Sequence, residues 1–205
     1  MKKSTFLLLA MLLISPYSVA ESPDCLSGDL VEVELGLGDH PVGTATFSDK
    51  CAHKNTKAKW PRPARKSGSG WGQVIMCFPD LKQCHNNPPQ DEAYLSFTIP
   101  KFKSVPKAIE HVETSYQKAK EENGISIYQR PTDTDIRYVS SGKKQFVVTC
   151  IQHQNSEFSS CEMIGLAPHE AQYFLKTHVD RGAADWASTH DKVSNFILRA
   201  VQLKR

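Results

Sequence analysis

The chain has 205 residues, with 25 Lys and Arg against 22 Asp and Glu, 40% hydrophobic residues and 9% aromatic ones. That composition excludes an intrinsically disordered chain, and a formal charge of only +3 gives no general polyanion binder. Nucleic acid is therefore not an expected partner.

The N-terminus reads as a secretory signal peptide. Lys2 and Lys3 precede an apolar run from Phe6 to Ile14, and Ser18-Val19-Ala20 offers small residues for cleavage after Ala20. A membrane-spanning helix needs about 20 continuous apolar residues, whereas this run breaks at Ser15-Pro16 and gives way to Glu21-Ser22-Pro23-Asp24. No transmembrane anchor is expected. Pro23-Asp24 before Cys25 also lacks the small residue that precedes an acylated lipoprotein cysteine. The mature chain is read as one exported periplasmic domain, residues 21–205, whose formal charge falls to about +1 without Lys2 and Lys3.

Along that chain, Asp29 to Leu35 mixes apolar alternation with Glu32 and Glu34 and reads as a half-exposed strand ending at Gly36. Residues 40–71 hold Pro41, Pro61, Pro63, Gly68 and Gly70 and read as one irregular basic loop. Gln73 to Phe78 and Glu92 to Ile99 are short runs rich in strand formers. Pro106 opens a helical pattern in which Ala108, Ile109, Val112, Tyr116 and Ala119 recur at three- and four-residue steps, and Asn123-Gly124 reads as its stop. Ile125 to Gln129, Asp135 to Val139, Gln145 to Gln152 and Phe158 to Leu166 suit an antiparallel meander. Pro168 is read as starting a second helix. A final helix from about Ala184 puts Trp186, Val193, Ile197, Ala200 and Val201 on one apolar face. The expectation is an α+β fold, mostly antiparallel sheet with one central helix and two C-terminal helices.

All six cysteines lie beyond the cleavage point, and an even number in an oxidising compartment predicts three disulfides. If Asn155-Ser156 is a two-residue turn, Cys150 falls opposite Cys161 across a hairpin. The short, turn-rich Cys77 to Cys84 loop suits a local bridge, which leaves Cys25 with Cys51 by elimination. A metal reading would use Cys150, His153 and Cys161, or Cys77, Cys84 and His85, and neither set reaches four ligands in a zinc spacing.

No catalytic signature follows. His169-Glu170 lacks the second histidine of a zinc metalloprotease motif, since Tyr173 stands four residues after His169. Ser67 and Ser69 lack the flanking glycines of a nucleophile elbow, and Gly142-Lys143-Lys144 is not a phosphate loop. No cofactor and no metal are implied, although scattered His, Ser and carboxylates leave a small hydrolase as an alternative.

The most unusual stretch runs from Lys50 to Lys66, where Lys50, Lys54, Lys57, Lys59, Arg62, Arg65 and Lys66 occur with no acidic residue. Trp60 and Trp71 flank the prolines and the Gly-Ser run. Aromatic anchors beside ammonium and guanidinium groups suit an acidic protein partner or an anionic envelope ligand such as lipid A or peptidoglycan. The alternative is a solvated basic loop with both tryptophans folded onto the core.

The signal peptide, the paired cysteines on Gln145 to Leu166 and the closing helix from Ala183-Ala184-Asp185-Trp186 to Phe196-Ile197-Leu198 resemble periplasmic immunity proteins of type VI secretion effectors. The resemblance covers the last third of the chain. It implies stoichiometric occlusion of a secreted toxin's active site, with Lys54, Lys57, Lys59, Trp60, Arg62, Arg65, Lys66 and Trp71 as the candidate contact.

Overall fold

The computed structural model describes residues 24–36, 41–53, 70–84, 91–100, 104–130, 134–152, 158–180 and 184–204. Eleven strands and two α-helices are assigned among them. In chain order these are β1 (Leu30–Leu35), β2 (Gly43–Ser48), β3 (Gly72–Cys77), β4 (Glu92–Thr98), α1 (Val105–Ser115), β5 (Gln117–Glu122) and β6 (Ile125–Gln129). Then follow β7 (Asp135–Ser140), β8 (Phe146–Gln152), β9 (Phe158–Leu166), β10 (Gln172–Asp180), α2 (Trp186–Ala200) and β11 (Val201–Leu203). The α+β, disulfide-braced architecture is the expected one.

One sheet is eight-stranded, in the order β3-β4-β10-β9-β8-β7-β6-β5, and the other is three-stranded, β1-β2-β11. Their paired neighbours run antiparallel throughout. Alternation along the strands gives the large sheet two faces. On one, Val74, Leu95, Phe97, Tyr173 and Met163 are buried together with Val193, Phe196 and Ile197 of α2 and Leu35, Ala45 and Phe47 of the small sheet. Phe97 joins the three layers, its ring 6.3 Å from Phe47 and 6.0 Å from Phe196, both edge-on. On the opposite face, Val105, Ile109 and Val112 of α1 bury a smaller core with Tyr128, Val139 and Val147.

Four expectations are corrected, each where two readings of one pattern compete. Gly43–Ser48 lies within the stretch read as irregular, yet it is β2, with Ala45 and Phe47 buried and Thr44 and Thr46 half-exposed between them. The helix from Pro106 stops at Ser115, and Tyr116 is extended at φ −124°, ψ 152°. Asn123-Gly124 is not a helix stop. Both residues have positive φ, 51° and 76°, and turn β5 back onto β6, the conformation an Asn-Gly hairpin favours.

Pro168 starts a single 3-10 turn, not a helix, and β10 follows. Tyr173, Leu175, Thr177 and Val179 are buried in alternation with exposed Phe174, Lys176 and His178, a period of two that helical packing does not produce. Finally, α2 begins at Trp186, where the Asp185 carboxylate accepts from Ser188 N at 2.9 Å. It ends at Ala200, so Val201 belongs to β11 and pairs with Ala45.

The three disulfides are Cys25–Cys51, Cys77–Cys84 and Cys150–Cys161, as expected. Cys150 and Cys161 are register partners between β8 and β9. The turn read at Asn155-Ser156 lies outside the described residues. So does the signal segment; among the described residues no helix is long and apolar enough to cross a membrane.

Candidate functional site

Helix α1 packs on β7, β8 and β9, and on the same side of the sheet β3, β4 and β10 carry partly exposed side chains among the described residues. Register sets the order of side chains across it. Gln73 stands opposite Ser96, and Ser96 opposite Phe174; one step along, Ile75 stands opposite Tyr94, Tyr94 opposite Lys176, and Lys176 opposite Glu162. Phe174 and Tyr94 are 41% and 43% exposed. The Trp71 ring, just before β3, lies 5.7 Å from Phe174, and the His53 ring stands edge-on to Tyr94 at 6.0 Å.

Two polar pairs lie on this surface. Tyr94 Oη donates to Glu92 Oε2 at 3.1 Å, and this bond to a carboxylate, with lesser help from burial and the Glu92 charge, raises the phenol's pKa. Lys176 and Glu162 form an exposed ion pair at 3.2 Å, worth little to stability but neutralising both charges.

Of the residues singled out from sequence, Trp71 is on this face. Lys54, Lys57, Lys59, Trp60, Arg62, Arg65 and Lys66 lie outside the described residues, but the chain leading into them is held at β3 and the chain leading out of them is held by Gly36 and Thr98. On the entry side, Ala52 bridges Val74, His53 N donates to Gln73 O at 3.0 Å and Ile75 N donates to Cys51 O at 2.7 Å. Cys51 itself is tied to Cys25. On the exit side, Gly70 O accepts from Gly36 N at 3.1 Å and from Thr98 Oγ1 at 2.6 Å. Gly70 has φ +56°, and a Cβ there would come within 1.3 Å of Gly36 O, so only glycine fits. Phe174, Tyr94, Ile75 and His53 were not singled out from sequence. The alternation of 172–179 could have flagged Phe174, because it puts a phenylalanine on the solvent side of a strand.

The metal and hydrolase alternatives meet the following geometry. The cysteines of both candidate metal sets are consumed in disulfides. Among the described residues no three of His, Cys, Asp and Glu gather as ligands. A histidine and a serine do meet: His190 Nε2 is 3.4 Å from Ser194 Oγ, and His190 Nδ1 is 2.7 Å from Tyr173 Oη. The imidazole is buried between the rings of Phe146 and Tyr173, at 5.3 and 5.9 Å. Burial lowers its pKa first; Asp191 opposes and Lys144 reinforces that shift. Burial, then Asp191, holds the Tyr173 phenol well above its usual range. A triad needs a carboxylate where Tyr173 stands, so this cluster anchors α2 to β10.

The same fold occurs in an immunity protein of the Stenotrophomonas maltophilia type IV secretion system, at 11% identity and a TM-score of 0.60 over 89% of this chain and 99% of that one. It also occurs in the Neisseria meningitidis iron-regulated outer membrane lipoprotein FrpD, at 8% identity and a TM-score of 0.58 over 87% and 95% of the two chains. No protein-family model and no curated protein sequence matches the chain. At these identities the likeness is one of fold.

Proposed function

We propose that the chain is an exported immunity protein that neutralises a secreted antibacterial toxin by covering its active site. The observation that carries this reading is the tethering of a six-cation stretch, Lys54 to Lys66: the chain enters it at His53, bonded to β3, and leaves it at Gly70, held by Gly36 and Thr98, beside exposed aromatic side chains. Support comes from the fold shared with a secretion-system immunity protein and from three disulfides, which persist in oxidising compartments. On this reading residues 1–20 are a cleaved signal peptide, residues 21–205 are one periplasmic domain, and the contact includes Lys54, Lys57, Lys59, Trp60, Arg62, Arg65, Lys66 and Trp71. The toxin is a type VI effector by the sequence resemblance, whereas the structural neighbour serves a type IV system.

The test is affinity capture of the mature protein from its host's lysate at low and high salt, with mass spectrometry of what is bound. One secreted protein in equimolar amount, weakened by salt, is expected. Simultaneous charge reversal at Lys57, Lys59, Arg62 and Arg65 should weaken that complex; unchanged affinity would remove these residues from the contact. Capture of no protein, with salt-sensitive cosedimentation with isolated envelope, would replace the toxin with an anionic envelope ligand.

A further inference from the structure

Asn123-Gly124 is the single Asn-Gly pair of the sequence, and the fold sets it at the exposed tip of the β5–β6 hairpin. The two residues are the whole turn, since Glu122 and Ile125 on either side of them are register partners. An asparagine carboxamide reaches the next backbone nitrogen through a five-membered ring, and a glycine there has no Cβ to obstruct the approach. Space around Gly124 is open, with nothing within 4 Å of where a Cβ would stand. A hairpin protects such a turn only while its strands stay together, and β5 has little to hold it. All six of its residues are exposed, β6 is its one neighbour in the sheet, and the pairing is irregular between Lys118 and Lys120. The exposed ion pairs Lys118–Glu121, at 2.5 Å, and Lys120–Glu122, at 2.7 Å, run along β5 rather than across to β6 and add little. In β6, by contrast, Ile127 and Tyr128 are buried. An element with so few buried contacts opens at a small fraction of the global unfolding free energy.

We infer that Asn123 is a site of spontaneous modification, released for reaction when β5 opens. The Gly124 backbone nitrogen gives its proton to solvent base and attacks Asn123 Cγ; the Cγ–Nδ2 bond breaks, ammonia leaves and a succinimide closes. Water then reopens the ring. Addition at Cγ yields aspartate, and addition at the Asn123 backbone carbonyl yields isoaspartate, whose main chain runs through Cβ and Cγ and is one atom longer. No oxidant and no enzyme takes part. Either product adds a carboxylate beside Glu121 and Glu122. Isoaspartate also lengthens a turn whose register is set by two residues, and so detaches β5. The uncharged run Ile125-Ser126-Ile127-Tyr128-Gln129 of β6 then becomes the edge of the large sheet.

The test incubates the folded chain at physiological temperature, at neutral and at mildly alkaline pH, and follows it by ion-exchange chromatography and peptide mapping. A form with one more negative charge per chain should accumulate, faster at alkaline pH, and map to aspartate and isoaspartate at position 123. Asn123→Gln, which would need a six-membered ring, should lose that form, and a thermal midpoint near wild type would show that the variant folds. Asn123→Asp supplies the charge standard. Hydrogen exchange of the isoaspartyl chain should rise over Gln117–Glu122 and stay unchanged in β8 and β9. Conversion confined to other asparagines, or an acidic form that persists in Asn123→Gln, would overturn the inference. So would conversion at Asn123 in the urea-unfolded chain but not in the folded one over the same period, because the hairpin would then be shown to stay shut. Unchanged exchange over Gln117–Glu122 in the isoaspartyl chain would overturn the detachment of β5.

Discussion

Replacing Tyr173 with Phe removes a single oxygen from the helix–sheet junction and leaves its packing in place. Tyr173 is fully buried and His190 is 5% exposed, with Oη and Nδ1 2.7 Å apart. Burial favours the neutral form of both rings, so a single proton bridges Oη and Nδ1. The bond contributes about 1 kcal/mol net, and a buried ring nitrogen left without its partner costs a further 1 to 2 kcal/mol or so. No cavity term arises, since the Phe ring fills the same volume. The expected loss is about 2 to 3 kcal/mol, which for a domain of this size lowers Tm by roughly 4 to 10 °C. Urea unfolding followed by far-UV circular dichroism measures it, and the m-value should not change. A midpoint within about 1 °C of wild type would refute the assignment of this hydrogen bond as the anchor of α2.

The same site sets a pH dependence. Because burial lowers the His190 pKa below the usual 6.5, its contribution is fully present above that value and is lost as pH falls beneath it, where the unfolded chain binds the proton first. His190→Gln should flatten the stability profile below about pH 6.5, and a profile as steep as wild type would exclude His190 as the source. Gly70→Ala should cost about 3 kcal/mol or more, because a Cβ would meet Gly36 O at 1.3 Å. Gly124→Ala, at φ +76° with nothing within 4 Å, should cost only about 1 kcal/mol in the same denaturation assay. Equal losses would mean that the Gly36 contact does not hold the loop exit. Joint replacement of Cys150 and Cys161 by Ala opens a bridge of sequence separation 11 and should lower stability by about 3 kcal/mol, read by calorimetry under non-reducing conditions.

Local patterns determined a large part of this protein. The strand-like runs Ile125–Gln129 and Phe158–Leu166 place β6 and β9 to the residue. Hairpin counting put Cys150 opposite Cys161, because a two-residue turn leaves only one register. The stripe of Trp186, Val193 and Ile197 identified α2, whose buried face matches the helical period. Lys50 to Lys66 stood out by charge alone.

The tertiary structure decided the rest wherever one short pattern serves two backbones. Asn123-Gly124 ends a helix or turns a hairpin, and pairing of Gln117–Glu122 with β6 settles it. Pro168 begins a helix or a turn, and the hydrogen-bond partners offered by β4 and β9 on both sides draw Gln172–Asp180 into a strand. The aromatic grouping beside β3, β4 and β10 is likewise a property of the assembled sheet. Phe174, Tyr94, Trp71 and His53 are far apart in the chain and become neighbours only through register. Their exposure depends on α1 packing over β7, β8 and β9, since periodicity tells which side of a strand a residue occupies but not what covers that side.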